Sequence, residues 1–204
     1  MDFYDKFILP RVLDLACSAP PMKKLRNRYV SIARGRVLEM GIGSGLNLKY
    51  YGPEVQSITG VDPALDLTKI AQKRVMEIDK PVDIIGVSGE QLPCADGLFD
   101  SVVCTWTLCS IPNPQAAVQE MRRILKPDGK IIFVEHGLAD DQKVAKWQER
   151  IEPFWKPVAG GCHLTRRADT LLKENGFSLD QFESGYEQGP KFATFMMHGI
   201  ASVV

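Results

Sequence analysis

The sequence is short of several things, and each shortage excludes a class. Lys plus Arg and Asp plus Glu both number 25 in 204 residues, so neither sign is in excess. A chain that grips nucleic-acid phosphates broadly is usually basic, so no nucleic acid is expected as partner. Cysteine is sparse and odd in number, five without a C-x-x-C pair. Neither a disulfide framework nor a metal site is expected, and reduced thiols in a cytoplasmic protein are the simpler reading. No apolar run approaches the ~18 residues of a membrane span. A signal peptide is not expected, because Asp2 and Asp5 stand in place of a basic n-region and Arg11 and Asp14 interrupt the apolar run. Internal repeats and low-complexity segments are missing. What remains suffices for one domain, residues 1–204, with a substantial core.

The most informative stretch is Val37-Leu38-Glu39-Met40-Gly41-Ile42-Gly43-Ser44-Gly45-Leu46. It reads as a buried parallel strand, a glycine turn and the start of a helix. The dinucleotide fingerprint is G-x-G-x-x-G. Here the third glycine comes one residue early, at Gly45, and Leu46 stands where the fingerprint has glycine. Glu39 lies two residues before the first glycine. A pyrophosphate disfavours a carboxylate there, and a cationic ligand favours it. Asp62 ends the next strand, 21 residues after Gly41. A carboxylate at that place can accept from two ribose hydroxyls. The competing helix-cap reading is weakened by Pro63, which can itself open the helix.

Along the chain, Phe3, Phe7, Ile8, Val12, Leu13 and Leu15 form a helical stripe that Pro10 ends or bends. Pro20-Pro21 break it, and a basic helix runs from Met22 to Ala33. Together these make an N-terminal helical segment, residues 1–34, ahead of the core at 36–204. Lys23, Lys24, Arg26, Arg28, Arg34 and Arg36 read as a solvated face, with weak contact to an anionic membrane as the sharper alternative. From residue 36 strands and helices alternate. Strands are expected at Arg36–Met40, Ser57–Val61, Val82–Val87, Ser101–Thr105 and Lys130–Glu135. Helices are expected at Ser44–Tyr51, Leu65–Ile78, Pro114–Leu125, Asp141–Phe154 and Thr165–Glu174, with a turn at Pro127-Asp128-Gly129. Phe177–Glu183 and Thr194–Val203 read as two final strands with no helix between. The fold class is therefore α/β: a Rossmann-like, seven-stranded, doubly wound sheet with an antiparallel C-terminal hairpin. In such sheets ligands lie beyond the carboxyl ends of the strands.

Several residues fall at that edge. Gly89, Glu90 and Leu92, in Gly86-Val87-Ser88-Gly89-Glu90-Gln91-Leu92-Pro93, leave strand three. Thr105 ends strand four, followed by Thr107, Leu108 and Cys109. Cys104, inside the strand, reads as core filler, while Cys109 is open. His136 follows strand five as a candidate general base or as a buried structural histidine. Cys162 and His163 offer only part of a zinc shell, and the segment around Trp147, Trp155, Cys162, His163 and Arg166 reads as one wall of a pocket (the acceptor's, on the resemblance described next), with Arg166 capping a helix or meeting an acid.

The pattern E-x-G-x-G-x-G resembles the cofactor motif of class I S-adenosylmethionine (SAM) dependent methyltransferases, whose ligand carries a sulfonium and an ammonium. Downstream, Asp96-Gly97-Leu98-Phe99-Asp100, Leu108-Cys109-Ser110, Glu135-His136, Trp147-Gln148, Pro153-x-Trp155 and Gly161-Cys162-His163-Leu164-Thr165-Arg166 recur as a set. Together they resemble the methyltransferase type 11 branch that includes the alkyl-thiol S-methyltransferases. The resemblance covers roughly residues 36–170. It implies SAM as cofactor and S-adenosylhomocysteine as product. Glu39, Gly41, Gly43, Gly45, Asp62, Pro63, Gly89, Glu90, Leu92 and Thr105 are then the cofactor-binding candidates. Ser88 stands where many family members have aspartate. It also implies a small-molecule acceptor, with a thiol or sulfide favoured. Candidates for the transfer site are Tyr4, Thr107, Cys109 and His136. The animal thiol methyltransferases carry an N-terminal membrane anchor; here a short helix with Phe3, Tyr4 and Phe7 is expected instead, as a lid or as a flank. C- or O-methylation of a quinone-like or lipid acceptor is the competing activity, and a SAM-binding regulatory module is the non-enzymatic alternative.

Overall fold

A computed structural model describes residues 9–204 of the chain. Seven strands among the described residues form one sheet in the order β3-β2-β1-β4-β5-β7-β6. The strands are β1 (Gly35–Met40), β2 (Val55–Val61), β3 (Val82–Ile85), β4 (Phe99–Thr105), β5 (Leu125–His136), β6 (Phe177–Tyr186) and β7 (Phe195–Val203). The first five run parallel, and β7 pairs antiparallel with both β5 and β6. The expected doubly wound sheet with its antiparallel C-terminal pair is thus present.

Alternate residues of the central strands feed two cores. Leu38, Met40, Cys104 and Phe133 face one side, packed by Val118 and Met121 of α4 (Pro114–Ile124) and Leu172 of α6 (Ala168–Glu174). Val37, Val103 and Ile132 face the other, covered by Leu25 and Tyr29 of α2 (Pro20–Tyr29). This period-2 division is what buries a parallel sheet on both faces. Pro20 and Pro21 open α2 at its first positions, where a missing N–H costs nothing. At α4, the Asn113 side chain accepts from the Ala116 amide, and Pro114 follows it. The remaining helices are α1 (Leu9–Cys17), α3 (Leu65–Val75), α5 (Gln142–Val158) and the short α7 (Lys191–Thr194).

Three expectations about elements are corrected. No α-helix covers 44–51; a single 3-10 turn at Leu48–Tyr50 replaces it. Gly45 has φ +79°, and a Cβ there would press on the Ala71 backbone at 3.1 Å, so the chain leaves the glycine loop in a conformation that cannot continue a helix. Residues 127–129 lie within β5, as a bulge between the Leu125 and Lys130 pairings. α5 continues through Pro153 to Val158, beyond the expected end at Phe154.

The basic run is also corrected in part. Arg28 pairs with Glu183 at the surface, as a solvated face would. Arg26 is buried, however. It donates from Nε to Asn47 Oδ1 at 2.8 Å and to the Cys17 carbonyl at 2.5 Å, and its guanidinium stacks 4.4 Å from the Trp106 ring.

Candidate functional site

The carboxyl ends of β1, β2, β4 and β5 converge on one edge, and the candidate residues meet there in two groups. The first group surrounds the glycine loop. Gly41 has φ +71°, and a Cβ on it would collide with the Thr107 hydroxyl at 2.2 Å; only glycine lets the β1 exit pass this close to β4. At Gly43 an added Cβ would meet nothing nearer than 3.9 Å, so the crest of the loop faces open room. Asp62 closes the loop from β2. One carboxylate oxygen accepts from Gly43 N at 2.9 Å and the other from Ala64 N at 2.8 Å. Each oxygen keeps a further lone pair for a ligand hydroxyl. Burial pushes the Asp62 carboxyl up against these two bonds. Pro63 follows directly, before α3.

Glu39 is buried within β1. Its oxygens accept from Asn47 Nδ2 at 2.9 Å and from the Tyr51 hydroxyl at 2.7 Å. Desolvation raises its carboxyl to about 7, although both bonds and Arg26 act against the rise. Asn47 also donates to Thr105 Oγ1 at 3.0 Å, so Arg26, Asn47, Glu39 and Thr105 form one buried chain of contacts. Arg26, Asn47 and Tyr51 are not prominent in sequence: Arg26 lies in a basic run, and Asn47 and Tyr51 in a stretch that reads as helix.

The residues of the β3 exit make contacts of their own. A Cβ on Gly89 would stand 2.0 Å from the Met40 sulfur, so Gly89 serves close packing. Glu90 accepts from the Asn113 amide at 2.5 Å and from Ser88 Oγ at 3.1 Å. Leu92 is buried, its amide bonded to Glu120. These three residues therefore shape the wall through packing and loop bonds of their own.

The second group lies across β4 and β5. Glu135 is its centre, and the sequence reading passed over it in favour of the neighbouring histidine. It is buried, and its carboxylate accepts from the amides of Thr107 (2.9 Å), Leu108 (3.1 Å) and Cys109 (3.1 Å) and from the Cys104 thiol (3.4 Å). Desolvation raises this carboxyl to about 7 against those bonds. The Cys104 thiol is thus a ligand of Glu135 as well as core filler. The Thr107 hydroxyl lies 3.0 Å from the Met40 carbonyl and 3.1 Å from that of Thr105, so it fastens the two strand exits at the edge where Thr107 is a site candidate. Arg166 neither caps a helix nor meets an acid: it donates to the carbonyls of Leu108 (2.7 Å) and Ile111 (2.6 Å). Trp106, with φ +52°, is the positive-φ residue other than glycine among those described. Such geometry concentrates where surrounding contacts over-determine the backbone, and here it is held by the bond to the Val134 carbonyl and the stacked Arg26.

His136 is buried, with Nδ1 3.4 Å from Cys162 Sγ. Its Nε2 has no hydrogen-bond partner among the described residues. Cys109 is buried beside it. An open cleft of about 230 Å³ reaches this wall, lined by Leu108, Cys109, Glu135, His136 and Arg166 among others.

α1 touches the glycine loop and the residues that follow α5. Asp14 accepts from Ser44 Oγ at 2.6 Å and from Arg74 at 2.7 Å, next to the glycine loop. The Leu9 and Leu13 side chains lie near Gly160, beyond the second group. Tyr4, with Phe3 and Phe7, falls outside the described residues. Among the described residues no cluster of His, Cys, Asp or Glu is arranged to hold a metal ion, and no helix is long and apolar enough to cross a membrane.

A family model described as a methyltransferase domain matches residues 38–133, the stretch from Leu38 in β1 to Phe133 within β5. The human thiol S-methyltransferase TMT1B is 38% identical over 159 residues, which is 74% of this chain and 64% of that protein. The chain thus spans less than two thirds of that relative's length. The ubiquinone biosynthesis O-methyltransferase of Chromobacterium violaceum is 32% identical over 52% of this chain and 47% of its own. In structure, a SAM-dependent methyltransferase from Methanosarcina mazei superposes with a TM-score of 0.67 over 83% of this chain and 92% of its own, at 21% identity. The strand order, the acid before the glycine loop and these matches agree: residues 38–133 carry a methyltransferase domain, in a chain similar in sequence and fold to SAM-dependent methyltransferases.

Proposed function

We propose that this chain binds SAM across the Gly41–Gly45 loop and transfers its methyl group to a small thiol. The observation that carries the cofactor half is the pair of buried acids on either side of that loop. Asp62 is placed to hold the ribose hydroxyls, its oxygens already oriented by Gly43 and Ala64 amides. Glu39, with Asn47 and Thr105, supplies anionic and polar surface for the cationic amino-acid end. Gly43 leaves room for a ligand against the backbone, and Pro63 and the β3 exit with Gly89, Glu90 and Leu92 form the remaining wall. Bound SAM would supply an electrophilic methyl on a sulfonium. The protein's part is alignment and exclusion of water, for which α1 is placed as a lid.

The acceptor reading rests on the TMT1B match and on what the acceptor wall offers. Glu135 is engaged by three amides and a thiol, and Thr107 by backbone carbonyls. His136 Nε2 is the unpartnered basic atom there among the described residues, so His136 is the group that takes the acceptor proton. A thiol, with an ordinary pKa of ~8.5, needs little help to lose it. The O-methyltransferase match supports the alternative, a quinone-like acceptor.

Titration calorimetry tests the cofactor half. Asp62→Ala removes the ribose acceptor and is expected to weaken SAM binding about 10- to 100-fold, the effect of one to two charged hydrogen bonds; wild-type-like affinity would overturn the assignment. Labelled SAM offered with thiols, phenols, quinols and amines tests the other half. Label on phenols or quinols and none on thiols rejects the thiol reading.

A further inference from the structure

Methyl transfer to an external thiol leaves two of the chain's own thiols unexplained. Cys109 is on the loop after β4, and Cys162 is on the connection from α5 to α6. The two segments run side by side. The His163 amide donates to the Cys109 carbonyl at 2.7 Å, and a Cβ on Gly161 would stand 3.4 Å from the Ser110 carbonyl oxygen. The two thiols lie close enough that each is the first influence on the other's ionisation. On its other side that sulfur meets His136 Nδ1 at 3.4 Å. The Trp155 indole N–H, which has no hydrogen-bond partner within the usual distance, also faces it. The arrangement is a nucleophilic thiol flanked by a second thiol and an imidazole.

We propose that Cys162 is a peroxide-reactive thiol and Cys109 its resolving partner, the two closing a reversible disulfide in the wall of the acceptor cleft. The imidazole contact divides the roles: His136 Nδ1 stands 3.4 Å from Cys162 Sγ and favours the thiolate there. Cys109 and His136 beside it hold the Cys162 thiol below the ordinary range, against its burial. The Cys109 thiol is pushed well up, by Cys162 beside it and by burial. The thiolate, which is the attacking species, therefore forms on Cys162 while Cys109 keeps its proton.

In the first step the Cys162 thiolate attacks one oxygen of hydrogen peroxide. An S–O bond forms, the O–O bond breaks, and the departing hydroxide takes a proton to leave as water. In the second step the Cys109 sulfur attacks the Cys162 sulfur. The S–S bond forms, the S–O bond breaks, and the hydroxyl leaves with the Cys109 proton as a second water. Two thiols are oxidised by one peroxide, and a dithiol reductant reverses the change. The bridge needs Cα atoms about 4.4–6.8 Å apart, a spacing that segments joined by a backbone hydrogen bond readily provide. Cys104 is bonded to Glu135 and stays outside the exchange.

The test uses the full chain and reads no methyl transfer, so it stands apart from the acceptor question. The protein is treated with hydrogen peroxide, blocked with N-ethylmaleimide, and weighed intact and as non-reduced peptides. Of the five cysteines, the wild type is expected to lose two labelling sites and yield one peptide pair joined through Cys109 and Cys162, both restored by dithiothreitol. Cys109→Ser is expected to stop at a sulfenic acid on Cys162, trapped by dimedone. Cys162→Ser is expected to lose label at least tenfold more slowly. Five labels retained by the oxidised wild type, a bridge through Cys17 or Cys94, or unchanged kinetics in Cys162→Ser overturns the proposal. The peptide map of the wild type decides the matter even where a variant folds poorly.

Discussion

Two buried glutamates with the same raised carboxyl do different work. Glu39 accepts from the side chains of Asn47 and Tyr51 beside the glycine loop, and Glu135 from three backbone amides. Glu39 ionises about 7 in the protein, against an ordinary 4.5. A cationic ligand beside it favours the carboxylate, so binding releases a proton where Glu39 is partly protonated. SAM affinity is therefore expected to rise from pH 6 to pH 8, by up to about tenfold as the ionised fraction grows. Calorimetry across that range reads it, and Glu39→Gln should flatten the slope; a flat wild-type profile would remove Glu39 from the ligand's surroundings. Glu135 is legible in sequence only as the neighbour of a histidine. Its role becomes visible once the fold turns three successive amides toward it. In Glu135→Gln the side chain keeps one acceptor oxygen and gains donors facing donors. A loss of roughly 3 kcal/mol is expected, a fall in Tm of about 6–12 °C for a chain of this size, measured by thermal unfolding.

Among the elements, α1 changes most between sequence and structure. A short apolar stripe serves equally for a lid or a flank, and the stripe alone contains no information about what it crosses. The distinguishing contacts come from far along the chain: Ser44, Arg74 and Gly160. Asp14 holds α1 to the glycine loop through an ion pair in which both side chains are about a quarter exposed. Asp14→Ala is expected to release that end of α1 and speed SAM dissociation roughly fivefold, about 1 kcal/mol, as stopped-flow measurement would show; an unchanged rate would make α1 a flank. The strands were easier to read, because alternation and β-branched runs are local properties. The stretch 44–51 was misread for the opposite reason. Its composition allows a helix, but Asn47 and Tyr51 must both reach Glu39, and that long-range requirement selects a tight 3-10 turn. Arg26 is a similar case. Neighbouring cations mark a solvated surface, and only the tertiary fold brings Asn47, Trp106 and the Cys17 carbonyl around it.

At the scale of the whole molecule, the division of labour follows the sheet. β1 and β2 carry the buried acids Glu39 and Asp62 beside the glycine loop, β4 and β5 the group around Glu135 and His136, and the antiparallel end completes the core. The strand alternation makes the parallel run and the antiparallel final pair readable from sequence, but neither the short α7 that stands between the last two strands, where no helix is expected, nor which of the two lies inside. It is β7, bonded to β5 on one side and β6 on the other. A chain cut after Thr194 is therefore expected to lose cooperative unfolding altogether, since β6 is left without a neighbour; a sharp calorimetric transition in that truncation would contradict the pairing. The same insertion has a consequence for synthesis. A ribosome delivers β1 to β5 first, and these can pair as they emerge. β6 then waits for a strand that has not yet been made, and the sheet closes only when Phe195–Val203 has cleared the exit tunnel. Until then β5 and β6 both expose open edges, and the sheet that lacks β7 is the most aggregation-prone stage on the way to the folded chain.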